Sequence, residues 1–281
     1  MSTFHQEASS ADAERRPPSV DARPLIAISG VGKTFANGTR ALDGIDLAVR
    51  PGEFISLLGP SGCGKSTLLR MVAGLIGETE GTIEWPTSPY DVHGRPQPDL
   101  GFVFQEPTLM PWRTVTRNVA LPQEVAGKPP AQVAKAVADT LAMVGLDRFA
   151  GAYPRELSGG MKMRVSIARA IANRPQVLLM DEPFAALDEI TRLKLNNDLL
   201  RLWQQQLWTV LFVTHSVYES VYLSSRIVVM KARPGSIIDD IAIDAPYPRD
   251  EAFRMSEQYN AYCRRVSAAL RVAMSNVEDD Q

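Results

Sequence analysis

Two short stretches of this chain have the residue types of a phosphate cradle. The first is Gly59-Pro60-Ser61-Gly62-Cys63-Gly64-Lys65-Ser66-Thr67. It fits G-x-x-x-x-G-K-[ST], in which glycines let backbone N–H groups approach phosphate oxygens with no Cβ in the way. Lys65 is spaced to bring a point charge to the β- and γ-phosphates of a nucleotide, and Ser66 to offer a hydroxyl to Mg²⁺. The second stretch is Leu157-Ser158-Gly159-Gly160, which runs into a helical pattern. A helix N-terminus with free N–H groups and a partial positive charge suits an anion. One nucleotide needs one cradle. Two arrangements therefore stay open: one chain holds two nucleotides, or each nucleotide lies between the cradles of two chains in a two-fold dimer.

A third element carries acid groups. Val177-Leu178-Leu179-Met180 is an apolar run that ends in Asp181-Glu182. In a doubly wound sheet, ligands bind at the C-terminal edge of the strands, where this run places its two carboxylates. Asp181 is set to hold Mg²⁺ through water, and Glu182 to lie beside a γ-phosphate and orient or deprotonate the attacking water. The chain has one lysine-bearing loop and one such strand, which argues against a second complete site within it.

These groups need a scaffold, and the hydrophobic pattern supplies one. Leu25 to Ile28 predicts a strand, as does Ile45 to Val49 with its alternation. Pro51-Gly52 turns the chain into Phe54 to Leu58, an apolar run of the kind buried on both faces. A helix follows from Lys65 to about Ala73, stopped by Gly74. Gly101 to Phe104 is a further strand, ending at Gln105. From about Pro107 to Gly160 the texture becomes helical. There Pro129-Pro130 opens an amphipathic helix with Val133, Val137, Leu141 and Val144 on one side. Met161 to Ala172 predicts a helix with Val165, Ile167, Ala168 and Ile171 as its apolar positions. Thr209 to Val213 and Ile227 to Met230 predict buried strands. A turn at Arg233-Pro234-Gly235 leads to a strand over Ile237 to Ile243, and the charged stretch from Pro248 onward is expected to be helical.

Composition narrows the classes. The 281 residues are 45% hydrophobic, enough for a substantial core, and a formal charge of -2 gives no electrostatic footprint for nucleic acid. No run approaches ~18 consecutive apolar residues, the length of a membrane-spanning helix. Residues 1–23 are expected to be a flexible polar tail without the apolar core of a secretory signal. Cys63 and Cys263 suit neither a disulfide framework nor a metal site, and are expected to be small buried thiols in a reduced, cytoplasmic setting.

With the two cradles and the Asp-Glu strand in place, the chain resembles the ATP-binding subunits of ABC transporters. Further features match that family in order. Phe35, upstream of the phosphate loop, matches the ring the family places against adenine, a contact worth roughly 1–3 kcal/mol; otherwise it is a core phenylalanine. Gln105 matches the glutamine loop that reaches Mg²⁺ and the reactive water. Leu157 to Gly160 matches the signature sequence. Ala186-Leu187-Asp188 matches the loop that crosses the dimer interface, and His215 the switch histidine at the γ-phosphate. Of the two open arrangements, the resemblance implies the second: ATP held by Lys65 of one subunit is clamped by Ser158, Gly159 and Gly160 of the other, with Asp188 nearby.

The resemblance further implies an α/β P-loop NTPase core with a mixed, mainly parallel sheet, an N-terminal antiparallel β subdomain and an inserted α-helical subdomain. The cassette would span residues 24–245, its helical part about 107–160, and a C-terminal helical extension 246–281. ATP and Mg²⁺ would be the cofactors. The partners would be a second copy of the chain, two transmembrane permease subunits and, indirectly, an extracytoplasmic solute-binding protein, with no nucleic acid. The setting would be peripheral, at the cytoplasmic face of the inner cell membrane.

Phe104 to Val115 with Asn118-Val119, Met161 in place of the commoner glutamine, and Ala232-Arg233-Pro234-Gly235 before a strand resemble the nitrate, sulfonate and taurine import group. Ser216 departs from the acidic residue common there after the histidine. The tail is too short for the regulatory domain of sugar-import ATPases. The alternative is a soluble ABC ATPase acting on ribosomes or DNA, although the gap from Gln105 to Leu157 leaves no room for a long coiled coil. A generic P-loop kinase would have no need of Ser158-Gly159-Gly160. Trp112 is either a coupling residue or a packed aromatic, Met161 and Met163 are expected in the core, and Asp239-Asp240 in solvent.

Overall fold

The computed structural model describes residues 23–275. The expected tail, apart from residue 23, lies outside the described residues. Apolar runs become the centre of a six-stranded sheet. In chain order the first elements are β1 (Ile26–Thr34), β2 (Arg40–Val49), β3 (Phe54–Leu58), α1 (Lys65–Val72), β4 (Glu80–Glu84) and β5 (Leu100–Val103). Then come α2 (Val115–Val125), α3 (Pro130–Met143), α4 (Gly159–Ile171), β6 (Val177–Asp181), α5 (Glu189–Gln206) and β7 (Thr209–Thr214). The last are α6 (Val217–Leu223), β8 (Arg226–Lys231), β9 (Ser236–Ala242), α7 (Glu251–Met255) and α8 (Glu257–Ser275). The larger sheet has the order β5-β6-β7-β3-β8-β9. It is parallel throughout except for β9, which pairs antiparallel with β8. Every residue of β3, β6 and β7 is buried, as expected of strands covered on both faces.

A second, antiparallel sheet has the order β2-β1-β4. β2 alternates between buried and open positions, in line with its apolar-polar pattern. β1 runs past the expected Ile28 to Thr34, with irregular register between Ile28 and Val31, where Gly30 takes φ 58°. β4 has no apolar period, and its residues are mostly exposed. Backbone pairing with β1 makes it a strand: Ala27 faces Glu84 and Ile28 faces Ile83. Gly81 approaches β1 so closely that a Cβ there would lie 2.4 Å from the Gly30 carbonyl oxygen.

α2, α5 and α6 had no predicted span of their own. α5 is rich in charge, but Leu195, Leu199, Leu200, Leu202 and Trp203 turn inward onto the sheet. α3 buries Val133, Val137 and Leu141, and Val144 just past its end is buried beside them, as the pattern requires. One face of the large sheet packs with α2 to α6 and α8, and the other with α1 and the antiparallel sheet. Met163 is in the core and Met161 packs at its border. Asp240 is not simply solvated: Arg226 grips it with a fork of 2.7 and 2.5 Å. Arg249 is 4% exposed and ties the C-terminal extension down. Its guanidinium donates to the carbonyls of Val221, Tyr222, Ser224, Ile243 and Ala245, the first three at the C-terminal end of α6.

Candidate active site

The loop after β3 is shaped by close approach. Gly62 and Gly64 take φ 78° and 91°, which turns successive backbone N–H groups to one side. Gly59 packs so tightly that a Cβ would meet the Met230 carbonyl oxygen at 2.4 Å. The turn at Gly235 supports the loop from beneath, where a Cβ would fall 2.1 Å from the Cys63 carbonyl oxygen. Ser61 and Gly62 are exposed at the rim, Pro60 and Thr67 are half-buried, and Cys63 is buried. Burial pushes the Cys63 thiol up, against the opposing pull of Lys65. The Lys65 ammonium donates to the carbonyls of Gly59 and Pro60 at 2.8 and 2.9 Å, so it lies across the loop. Ser66 donates its hydroxyl to Asp181 Oδ1 at 2.6 Å, and Arg70 lies 3.9 Å from Asp181 Oδ2.

Strand register aligns the remaining groups. Leu58 is level with Thr214, Asp181 with Val213, and Val103 with Met180. Past these pairs the same edge carries Gly59 and His215 one step on, Glu182 one step past Asp181, and Gln105 two steps past Val103. Glu182 holds φ 45°, a left-handed conformation rare for a glutamate, with its N–H donating to the Val213 carbonyl at 3.1 Å. His215 Nδ1 lies 3.4 Å from Glu182 Oε2. Gln105 is exposed, and among the described residues its side chain makes no hydrogen bond.

The second cradle sits apart from this cluster. Ser158 Oγ accepts from the Met161 N–H at 3.3 Å and caps α4, which starts two residues before the predicted Met161. Ser158 and Gly159 are exposed and Gly160 is buried. Asp188 caps α5 by accepting from the Thr191 N–H at 2.9 Å, and that bond holds its carboxyl below the usual range. A Cβ on Gly160 would meet Thr191 Cγ2 at 2.6 Å, so this glycine also lets α4 approach α5. Among the described residues, no hydrogen bond or ion pair joins Ser158, Gly159 or Gly160 to Lys65, Asp181 or Glu182. Phe35 is not a core residue: its ring is 40% exposed, with Lys33 Nζ 5.6 Å from the centroid.

Several residues have positioning roles that the sequence pattern did not show. Glu219 is 8% exposed and accepts from the Thr214 hydroxyl at 2.6 Å, while Thr214 Oγ1 accepts from the Ser216 N–H at 3.0 Å. This braces both sides of His215. Ser216 also caps α6, accepting from the Glu219 N–H at 3.3 Å, a use for the serine that departs from the import group. Arg169 of α4 donates to the carbonyls of Pro107 and Thr108, and so ties the segment after Gln105 to the helix after the signature. Fully buried Asn118 bonds Met110, Arg113 and Thr114, which shapes the loop that carries Trp112. Trp112 is 73% exposed, which rules out the packed-aromatic role. A buried asparagine inside an apolar helical stretch was the available sign of Asn118, since such an amide must find partners.

Residues 42–185, which run from β2 through the phosphate loop and signature to just past Glu182, match the family model described as ABC transporter. The chain belongs to the ABC transporter family. It is an ATPase subunit of a transporter. It is 49% identical to an uncharacterized ABC transporter ATP-binding protein of Methanocaldococcus jannaschii, over 84% of this chain and 86% of that protein. It is 43% identical to an aliphatic sulfonates import ATP-binding protein of Bacillus cereus, over 86% of this chain and 94% of that one. Among solved structures it is similar to an ATP-binding cassette in a dimeric post-hydrolysis state with ADP and Pi bound. That match has a TM-score of 0.67 and 32% identity over 79% of this chain and 100% of the other. The fold is that of the ABC cassettes, with no helix among the described residues long and apolar enough to cross a membrane.

Proposed function

We propose that this subunit powers import of a small solute by closing as a homodimer on ATP. Residues 24–245 would form the cassette, with a helical part over about 107–160 and an extension from 246. The observation that carries this reading is the division of labour within one chain. Lys65, Ser66, Asp181, Glu182 and His215 meet at one sheet edge, while the exposed N-terminus of α4 is joined to none of them. A second copy would bring its α4 to the first copy's phosphate loop, with Ser158, Gly159 and Gly160 clamping in trans and Asp188 beside them.

The residues fit the groups implied. The glycine geometry leaves room for phosphates against the backbone N–H groups, and Lys65 would exchange carbonyl partners for β- and γ-phosphate oxygens. The exposed Phe35 ring is free to stack on adenine. Ser66 Oγ and Asp181 Oδ1, 2.6 Å apart, are hard oxygen donors of the kind Mg²⁺ takes alongside water. When bound, that ion would neutralise charge on the phosphates. Glu182 would hold and deprotonate the attacking water, His215 would report the γ-phosphate, and Gln105 would face the same water from the neighbouring strand. Loss of the γ-phosphate would release the clamp and reset the dimer. Exposed Trp112 and the Arg169-held segment suit contact with two permease subunits at the cytoplasmic face of the cell membrane. An extracytoplasmic binding protein would deliver the solute. The sulfonate-import relative favours a nitrate-, sulfonate- or taurine-like anion as cargo.

Glu182→Gln tests the composite site. It should bind ATP, turn over at least ~100-fold more slowly and run as a dimer with ATP in light scattering. A variant that stays monomeric with ATP bound would refute the trans clamp.

A further inference from the structure

An open cavity of about 390 Å³ lies between α5, α6, α7 and α8, away from the phosphate loop. Its wall includes Glu189, Arg192, Asn196, Glu219, Arg254 and Tyr259. Asn196 is 2% exposed. Its Nδ2 donates to Glu219 Oε1 at 3.4 Å, yet its Oδ1 is buried without a hydrogen-bond partner. Arg192 Nε is likewise buried without one, 3.9 Å from Glu219 Oε1. A buried polar atom left unpaired keeps its desolvation penalty, so such atoms mark a place where a partner is wanted. On the same wall, Arg254 lies over the Tyr222 ring at 3.7 Å and donates to Asn197 Oδ1 at 2.9 Å. Among the described residues it forms no salt bridge.

These groups define a ligand chemistry. Asn196 Oδ1, on the same wall as the Glu189 and Glu219 carboxylates that Arg192 faces at 3.3 and 3.9 Å, asks for a cationic donor. Arg254 asks for an anion. The two guanidinium and two carboxylate groups cancel, so a ligand with no net charge enters without burying an excess charge. At about 30 Å³ per water-sized unit, the volume admits on the order of ten non-hydrogen atoms. We propose that this cavity is a regulatory site for a small zwitterion, an amino acid or aminosulfonate.

The walls reach the loops that carry His215 and Asp188. Glu219 holds Thr214, which holds Ser216, and His215 lies between them. Arg192 donates to the Leu187 carbonyl at 2.9 Å, next to Asp188. The C-terminal extension forms one wall of the cavity, with the Tyr259 hydroxyl donating to the Tyr218 carbonyl at 3.1 Å. A ligand that bonds Asn196 and Arg254 would bridge α5 to α7 and change the freedom of the His215 and Asp188 loops. Its effect on turnover rests on the ATPase function; its binding does not.

The test uses the full chain without nucleotide and two probes, glycine and 2-aminoethanesulfonate, followed by calorimetry and ligand-observed NMR. At least one should bind once per chain with a Kd below ~10 mM. Methanesulfonate and ethylamine, each carrying one end only, should bind at least ~10-fold more weakly. Asn196→Leu and Arg254→Gln should each weaken the probe at least ~10-fold, the second serving if the first fails to fold. Saturating probe should change ATP turnover of the native chain at least ~2-fold. No saturable binding by either probe, equal binding of methanesulfonate, or binding indifferent to Arg254→Gln overturns the site. Binding with unchanged turnover overturns its regulatory role. A chain that binds the probe but hydrolyses no ATP would instead count against the catalytic assignment and leave the site standing.

Discussion

Glycine and alanine at position 182 separate the chemistry of the carboxylate from the strain of its backbone. Glu182 sits at φ 45°. A left-handed backbone costs an L-residue roughly 1–2 kcal/mol, and alanine keeps that cost. Glycine removes it, but its freedom in the unfolded chain returns roughly 0.5–1 kcal/mol of the gain. Both variants lose the contact with His215, which therefore cancels in the comparison. Glu182→Gly should be more stable than Glu182→Ala by about 0.5–1 kcal/mol, a rise in Tm of roughly 1–3 °C for a chain of this size. At an ordinary backbone geometry the order would be reversed. Both should lose at least ~100-fold in ATP turnover, the lower end of what a positioned base contributes. Thermal melts of the nucleotide-free chain and steady-state phosphate release read the two effects. An alanine variant at least as stable as the glycine variant would refute the strain argument. Turnover within ~10-fold of the native chain would refute Glu182 as the base.

Other substitutions probe packing and burial. Gly160→Ala should cost about 1–3 kcal/mol by overpacking against Thr191, and adding Thr191→Ser, which removes the clashing methyl, should recover most of it in urea melts. If turnover stays lost after stability returns, the glycine acts at the nucleotide. Arg249→Met strips five carbonyls of their donor and should cost about 3 kcal/mol; a loss under ~1 kcal/mol would show that α6 does not depend on this anchor. Burial pushes the thiols of Cys63 and Cys263 up from an ordinary 9.0. The folded chain then keeps these protons longer than the unfolded one. Their contribution to stability is full below about pH 9 and is lost as pH rises toward the raised folded values. At pH 8, iodoacetamide should modify both at least ~10-fold more slowly in the native chain than in urea.

The local signals were strong where chemistry and backbone geometry coincide. Gly59 to Thr67 announces a phosphate loop because its glycines are required by φ and by close approach, whatever surrounds them. β3, β6 and β7 are visible because a strand covered on both faces must be apolar at every position. Asp181-Glu182 is visible because two carboxylates break such a run at its tip. α5 was missed because charge on its outer face hides a narrow apolar stripe, α6 because seven residues are too few to show a helical period, and β4 because its partner, not its side chains, makes it a strand.

The glycine loop, the buried strands and the Ser158-Gly159-Gly160 start of α4 are legible in sequence because each depends on residues close together in the chain. Tertiary structure alone decided that Ser66 meets Asp181, that Glu182 is strained beside His215, and that Glu219 braces the histidine from the next helix. It also exposed Trp112 and left Asn196 Oδ1 unpaired beneath the C-terminal extension. These are relations between residues tens of positions apart, or consequences of which face a helix turns inward. Their energies depend on distance and on exclusion of water, and neither is written in local sequence.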